Sequence, residues 1–130
     1  MSGGLDSTMA AALLLERGFR VEGLTMRLWQ EDAAAGEALV AAARAACAAL
    51  GIRHHTVDMT QRFLQDVVSC FLSEYARGRT PNPCLQCNRL LKFGGLLEWA
   101  QREGFDILAT GHYARIDRQD GRYRLLASVD

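Results

Sequence analysis

Formal net charge is absent: fifteen Lys and Arg residues balance fifteen Asp and Glu. Bulk charge therefore predicts no general attraction to a polyanion. No apolar run is long enough to cross a membrane. The stretch at residues 9–15 is too short, and Asp6 stands where a signal peptide would carry basic residues. The expectation is a cytoplasmic chain with no membrane partner. Cysteine is sparse, at four residues, and reducing surroundings argue against structural disulfides. One C-x-x-C is present, Cys84 to Cys87, and no second follows it. A closed zinc site would need His54, His55 or His112 to complete it. Proline occurs only at Pro81 and Pro83, and repeats and low-complexity tracts are missing. What remains is a chain of 130 residues, 49% apolar, enough for one domain around one core.

The start of the chain is its most informative segment, Met1-Ser2-Gly3-Gly4-Leu5-Asp6-Ser7-Thr8. Paired glycines allow close backbone approach to a ligand. A Gly-rich turn leading into a helix offers free N–H groups and the positive end of the helix dipole, which suits phosphate or pyrophosphate. Asp6 is repulsive beside phosphates unless a cation bridges the two, so Mg²⁺ at Asp6 is the natural resolution. The competing reading is an ordinary turn with Asp6 or Ser7 capping the helix. The common phosphate loop needs a lysine that this loop lacks, and the dinucleotide fingerprint G-x-G-x-x-G does not match. The string instead resembles the pyrophosphate loop of ATP-dependent adenylating enzymes.

Hydrophobic periodicity predicts a helix over residues 7–17, a strand over 19–29 and a helix over 36–50. A strand over 52–59 and a long helix over 60–77 follow. Residues 78–87 read as a loop and 88–103 as a helix. Residues 105–110 read as a short apolar strand. Residues 113–117 and 122–127 read as a hairpin around Asp120-Gly121. Alternation of strands and helices implies an α/β fold, a Rossmann-like parallel sheet covered by helices on both faces. Ligands in such sheets gather at the carboxyl ends of the strands. That is where Gly111 and His112 would fall. A strand should precede the glycine loop, and only Met1 does.

Pro81 and Pro83 stiffen the approach to Cys84. With Asn88 as an N-cap, Cys87 would sit at a helix mouth near Arg79, Arg89 and Lys92, which favours its thiolate. No acid interrupts the chain between Glu74 and Glu98, so Arg77, Arg79, Arg89 and Lys92 form a local basic stretch. For Cys84 and Cys87 three uses stay open: half of a metal site, a redox pair, or a reactive thiol that carries sulfur. Cys47 and Cys70 fall on apolar helix faces and read as core.

Three segments together resemble the tRNA-specific 2-thiouridylase family. They are Ser2-Gly3-Gly4-Leu5-Asp6-Ser7, the run Gly78-Arg79-Thr80-Pro81-Asn82-Pro83-Cys84-Leu85-Gln86-Cys87-Asn88, and Ala109-Thr110-Gly111-His112-Tyr113-Ala114-Arg115. Gly23-Leu24-Thr25-Met26 and Lys92-Phe93-Gly94 are similar to family segments as well. The resemblance implies an adenine-nucleotide hydrolase-like fold that uses ATP and Mg²⁺ to adenylate the wobble uridine of tRNA. A persulfide, supplied by a cysteine desulfurase-type relay, then gives 2-thiouridine with release of AMP and pyrophosphate. It implies that Met1, Ser2, Gly3, Gly4, Leu5, Asp6 and Ser7 line the ATP phosphates and that Met26 and Gly111 meet the nucleotide. Asn82, Pro83 and Cys84 would meet the target base, and Cys87 would be the catalytic thiol. It further implies that residues 1–130 are one pyrophosphate-loop domain of a longer enzyme, without the family's first strand and its C-terminal domains. The second catalytic cysteine would lie in those later domains. Some relatives carry Asp where Cys84 stands, so the extra thiol opens C-x-x-C redox chemistry, or an iron–sulfur cluster at Cys84 and Cys87 completed by a later cysteine. The first motif alone also admits another adenylating pyrophosphatase, or a non-catalytic nucleotide-binding or metal-binding fragment. A Gly-rich S-adenosylmethionine motif after a strand is missing, which sets methyl transfer aside.

Overall fold

A computed structural model describes residues 1–127. Its first helix, α1 (Leu5–Glu16), begins two residues before the predicted start. The N-cap is Gly4 and no side chain caps it, so neither Asp6 nor Ser7 is a cap. Strand β1 (Gly23–Arg27) runs parallel to β2 (His54–Asp58), in register from Gly23 opposite His54 to Arg27 opposite Asp58. The crossover between them is α2 (Ala33–Ala49), capped by Asp32, whose carboxylate accepts from the Ala34 N–H at 2.9 Å. Both strands are shorter than the predicted ranges because only their middles pair.

Two long helical rods follow. The first comprises α3 (Thr60–Phe63), a π-helical segment (Leu64–Val68) and α4 (Ser69–Ala76). The second comprises α5 (Pro83–Cys87), a π-helical segment (Asn88–Gly95) and α6 (Leu96–Arg102). Helical dihedrals run through each junction, so each rod is continuous. The second rod overturns the second half of the expected loop, residues 83–87, while residues 78–82 lie outside helix and strand as expected. Pro83 occupies the first turn, where its missing N–H costs nothing. The Asn82 side chain accepts from the N–H groups of Cys84 and Leu85, at 3.1 and 3.4 Å. Asn82 is therefore the cap, and Asn88 lies inside the rod.

The sheet divides the side chains between two layers. Leu24, Met26 and Leu28 pack against a buried cluster of Met59, Val67, Leu91 and Leu96 from the rods. Gly23 presses on Cys47 of α2 on the opposite face, where any side chain at position 23 would collide with the sulfur. Helices thus cover both faces of an α/β parallel sheet, as the sequence pattern implies.

Residues 105–110 do not form the predicted strand. A strand needs a partner, and the side of β1 facing them is unpaired. The Gly23 N–H donates to Arg53 and the Arg27 carbonyl accepts from Met59, so alternate residues of β1 point their backbone at β2. Leu24 and Met26 point theirs the other way. Among the described residues, the backbone group that meets that edge is the Met1 nitrogen, which donates to the Leu24 carbonyl. The Thr25 hydroxyl also reaches Met1, donating to its carbonyl at 2.7 Å. The hairpin forms as expected from β3 (Arg115–Gln119) and β4 (Arg122–Leu126). Asp120 and Gly121 both take positive φ, 51° and 76°, the tight turn that matches strand twist.

Candidate functional site

A cleft of about 430 Å³ opens between the start of α1, the free edge of β1, the second rod and residues 105–112. Its body is apolar, walled by side chains such as Leu14, Leu96, Trp99 and Phe105. The far end is closed by His55, whose Nε2 lies 2.6 Å from Glu22 and whose ring packs 5.3 Å from Trp99. The hydrogen bond to His55 holds the Glu22 carboxyl below its ordinary range.

The mouth is polar, and most of the residues singled out for a nucleotide meet there. Met1, Ser2, Asp6, Ser7, Met26 and Gly111 all line the cleft. The loop before α1 is braced by its own hydroxyls. Ser7 Oγ accepts from the Ser2 N–H at 3.2 Å and donates to the Gly4 carbonyl at 3.2 Å. Ser2 Oγ lies 3.0 Å from Ser7 Oγ and accepts from the Gly4 N–H at 3.3 Å. Gly3 takes φ 78° and lies so close to α2 that a Cβ there would meet Ala42 at 2.9 Å. Gly3 and Gly4 thus shape the loop from outside the cleft, and Leu5 is exposed and points away from it.

The amides of Leu5, Asp6 and Ser7 form the first turn of α1 and have no helical acceptor, and no side chain caps them. Two of these residues face the cleft. This donor set fits a phosphate chain. Among the described residues, Asp6 supplies the carboxylate at the mouth, the group a bridging Mg²⁺ would use.

Residues 109–113 close over the loop. Gly111 lies against the backbone of Asp6 and Ser7, and the Tyr113 hydroxyl donates to Asp6 Oδ1 at 2.9 Å. His112 also lines the mouth, with Nδ1 2.9 Å from the Thr110 hydroxyl.

Asn82, Pro83, Cys84 and Cys87 do not line the cleft; they occupy the start of the second rod beside it. Cys84 is exposed, whereas Cys87 is half-buried against the Met59–Leu96 cluster. Burial pushes the Cys87 thiol up; Lys92 opposes the shift and Cys84 adds to it. The expected thiolate-favouring helix mouth is therefore corrected. Cys87 is the fifth residue of its helix, past the turn where free amides would stabilise a thiolate. Arg79 is no free cation either, because it pairs with Glu74, as does Arg77.

Lys92, expected beside Cys87, does act on it and also lines the cleft mouth, which sequence spacing hides. In an α-helix residues five apart point about 140° away from each other. The π-helical segment from Asn88 instead aligns i with i+5. Its signal would have been Gly94-Gly95, where Gly95 is buried against Met59 and Arg62.

Among the described residues, no cluster of three His, Cys, Asp or Glu side chains forms a metal site. Cys84 and Cys87 supply two thiols, and an iron–sulfur cluster there would need further ligands. His54 is engaged with the Thr25 hydroxyl at 2.8 Å, and burial lowers its pKa.

A parallel sheet with a glycine-led helix at the mouth of its ligand cleft defines a Rossmann-like α/β domain. A family model described as tRNA methyl transferase HUP domain matches residues 1–130, and the chain belongs to that family. It is 49% identical to the tRNA-specific 2-thiouridylase MnmA of Chloroflexus aurantiacus, covering all of this chain and 38% of the relative. The protein of the same name from Syntrophotalea carbinolica is 53% identical over 93% of this chain and 35% of its own length. That from Clostridium botulinum strain Eklund 17B is 46% identical over all of this chain and 38% of its own. The chain thus spans little more than a third of these relatives. Among the described residues, no helix is long and apolar enough to cross a membrane.

Proposed function

We propose that residues 1–130 are the ATP-binding unit of a cytoplasmic tRNA 2-thiouridylase. The observation that carries this reading is one cleft mouth lined by both Ser2, Asp6 and Ser7 and the distant Gly111 and His112. ATP would supply an adenylyl group to O2 of a tRNA uridine, with pyrophosphate leaving. A persulfide sulfur would then replace the activated oxygen, with AMP leaving.

The chain's own residues divide this work. The first-turn amides of α1 hold the pyrophosphate end, and Asp6 holds Mg²⁺ against it. Met26 and Gly111 flank the nucleotide, and Gly3, Gly4 and Leu5 set the loop's course from Met1. Exposed Asn82 and Cys84, with half-buried Pro83 between them, present an edge to the base. Cys87 takes the sulfur left behind when the persulfide S–S bond breaks, forming a disulfide with the second cysteine, and its proton goes to solvent. Lys92 stands between the two centres and favours negative charge at either.

Thiolation is favoured over methyl transfer because the relatives are named 2-thiouridylases and the cleft begins with a pyrophosphate-type loop. The free edge of β1 beside unpaired residues 105–110 supports a further strand in that gap as part of the complete sheet.

The test is calorimetric titration of Mg·ATP into the chain and into Asp6→Ala. Saturable binding, weakened at least about tenfold in Asp6→Ala, is expected. Equal binding by the two, or none by folded wild-type chain, would overturn the reading.

A further inference from the structure

We propose that Tyr113 is a positioning residue for Asp6, fixing which carboxylate oxygen is left for the cation. The inference rests on the nucleotide reading above. The Tyr113 hydroxyl donates to Asp6 Oδ1 at 2.9 Å across a separation of 107 residues. An ionised carboxylate is acceptor-only, with two oxygens. The phenol occupies one and leaves Oδ2 for a metal ion. Metal ligands held by an outer hydrogen bond keep their orientation, and loss of such a bond costs about 10–100-fold in metal affinity.

Tyr113 has little else to do. Its side chain is 71% exposed, so packing does not explain its placement. Its backbone is held close by Gly111, which abuts the Asp6 and Ser7 main chain. A tyrosine hydroxyl keeps its proton at neutral pH and so stays a donor. A cation at Oδ2 and the phenol at Oδ1 would withdraw charge from the same carboxylate. Tyr113 therefore restricts geometry rather than adding attraction.

Positioning makes a prediction that general support of the loop does not. Tyr113→Phe should weaken Mg·ATP binding about fivefold to tenfold, yet leave binding of ATP in EDTA unchanged. In an Asp6→Asn background, Tyr113→Phe should have no further effect on Mg·ATP. Manganese binding to the ATP complex, followed by paramagnetic relaxation of water, should weaken in parallel. Equal losses with and without metal, or an undiminished loss in the Asp6→Asn background, would overturn the proposal. So would unchanged Mg·ATP binding in Tyr113→Phe, with the nucleotide reading left standing. Failure of wild-type chain to bind Mg·ATP at all would remove both.

Discussion

Replacing Gly111 by alanine adds one carbon to the tightest contact between the two halves of the cleft mouth. A Cβ at that position would lie 2.8 Å from the Ser7 nitrogen, 2.9 Å from the Asp6 carbonyl carbon and 3.1 Å from the Asp6 oxygen. Ordinary contact begins near 3.4 Å, so the segments must separate by about 0.6 Å. Neither side can yield by changing a rotamer, because the obstructing atoms are backbone. Residues 109–113 must lift, or the start of α1 must tilt. Displacements of about 1 Å at a reacting centre cost roughly 10²-fold. Loss of about tenfold in Mg·ATP affinity, ~1.4 kcal/mol, is the expected scale. Global stability should fall less than affinity. Residues 109–113 lie outside helix and strand and can lift, and the alanine's restriction of the unfolded chain, ~0.4–1 kcal/mol, offsets part of the strain. Calorimetric affinity and urea midpoint, measured on the same preparation, separate the two effects. Unchanged affinity would refute the closeness of residues 109–113 to the loop. A fall in midpoint that tracks the fall in affinity would refute the claim that the contact serves binding.

Leu91 has no exposed surface and anchors the second rod in the core, so Leu91→Ala should cost about 3–4 kcal/mol. That is a large part of a small domain's stability and should appear as a lowered urea midpoint; a loss under ~1 kcal/mol would show the cluster to be loosely packed. Iodoacetamide labelling followed by peptide mapping should modify Cys84 before Cys87 at neutral pH. Burial raises the Cys87 thiol, so its thiolate is scarce there and its labelling should climb only as pH rises into the alkaline range. Faster labelling of Cys87 at neutral pH would contradict its half-buried position.

The helices, both paired strands and the hairpin were legible because their signals are local. Gly18, Gly51 and Gly104 all take positive φ just past helix ends, as expected of C-terminal glycines. The start of the second rod was not legible. Asn82-Pro83 begins a turn and begins a helix with the same residues, and only the path of the following chain decides. Residues 105–110 have the composition of a strand, but pairing is a property of the neighbour, and the neighbour's edge is free. The cleft mouth was anticipated residue by residue for Ser2, Asp6, Ser7 and Gly111. The state of Cys87 was not, because the groups that bury it, Met59 and Val67, come from an earlier rod. Lys92 was expected beside Cys87, but its place at the cleft mouth was not, because a fixed α period hides the wide π-helical turn.

The π-helical segment that joins Cys87 to Lys92 also sets how the first turn of the second rod is rotated against the rest. Tightening it to α register would expel about one residue and turn one end against the other by roughly 100°. Leu91, Leu96 and Ala100 are buried and hold the rod from the π-helical segment onward, so such a rotation would pull half-buried Cys87 out of the Met59–Leu96 cluster. The wide turn thus keeps Cys87 in the core while Cys84, one turn earlier on the same short helix, stays in solvent.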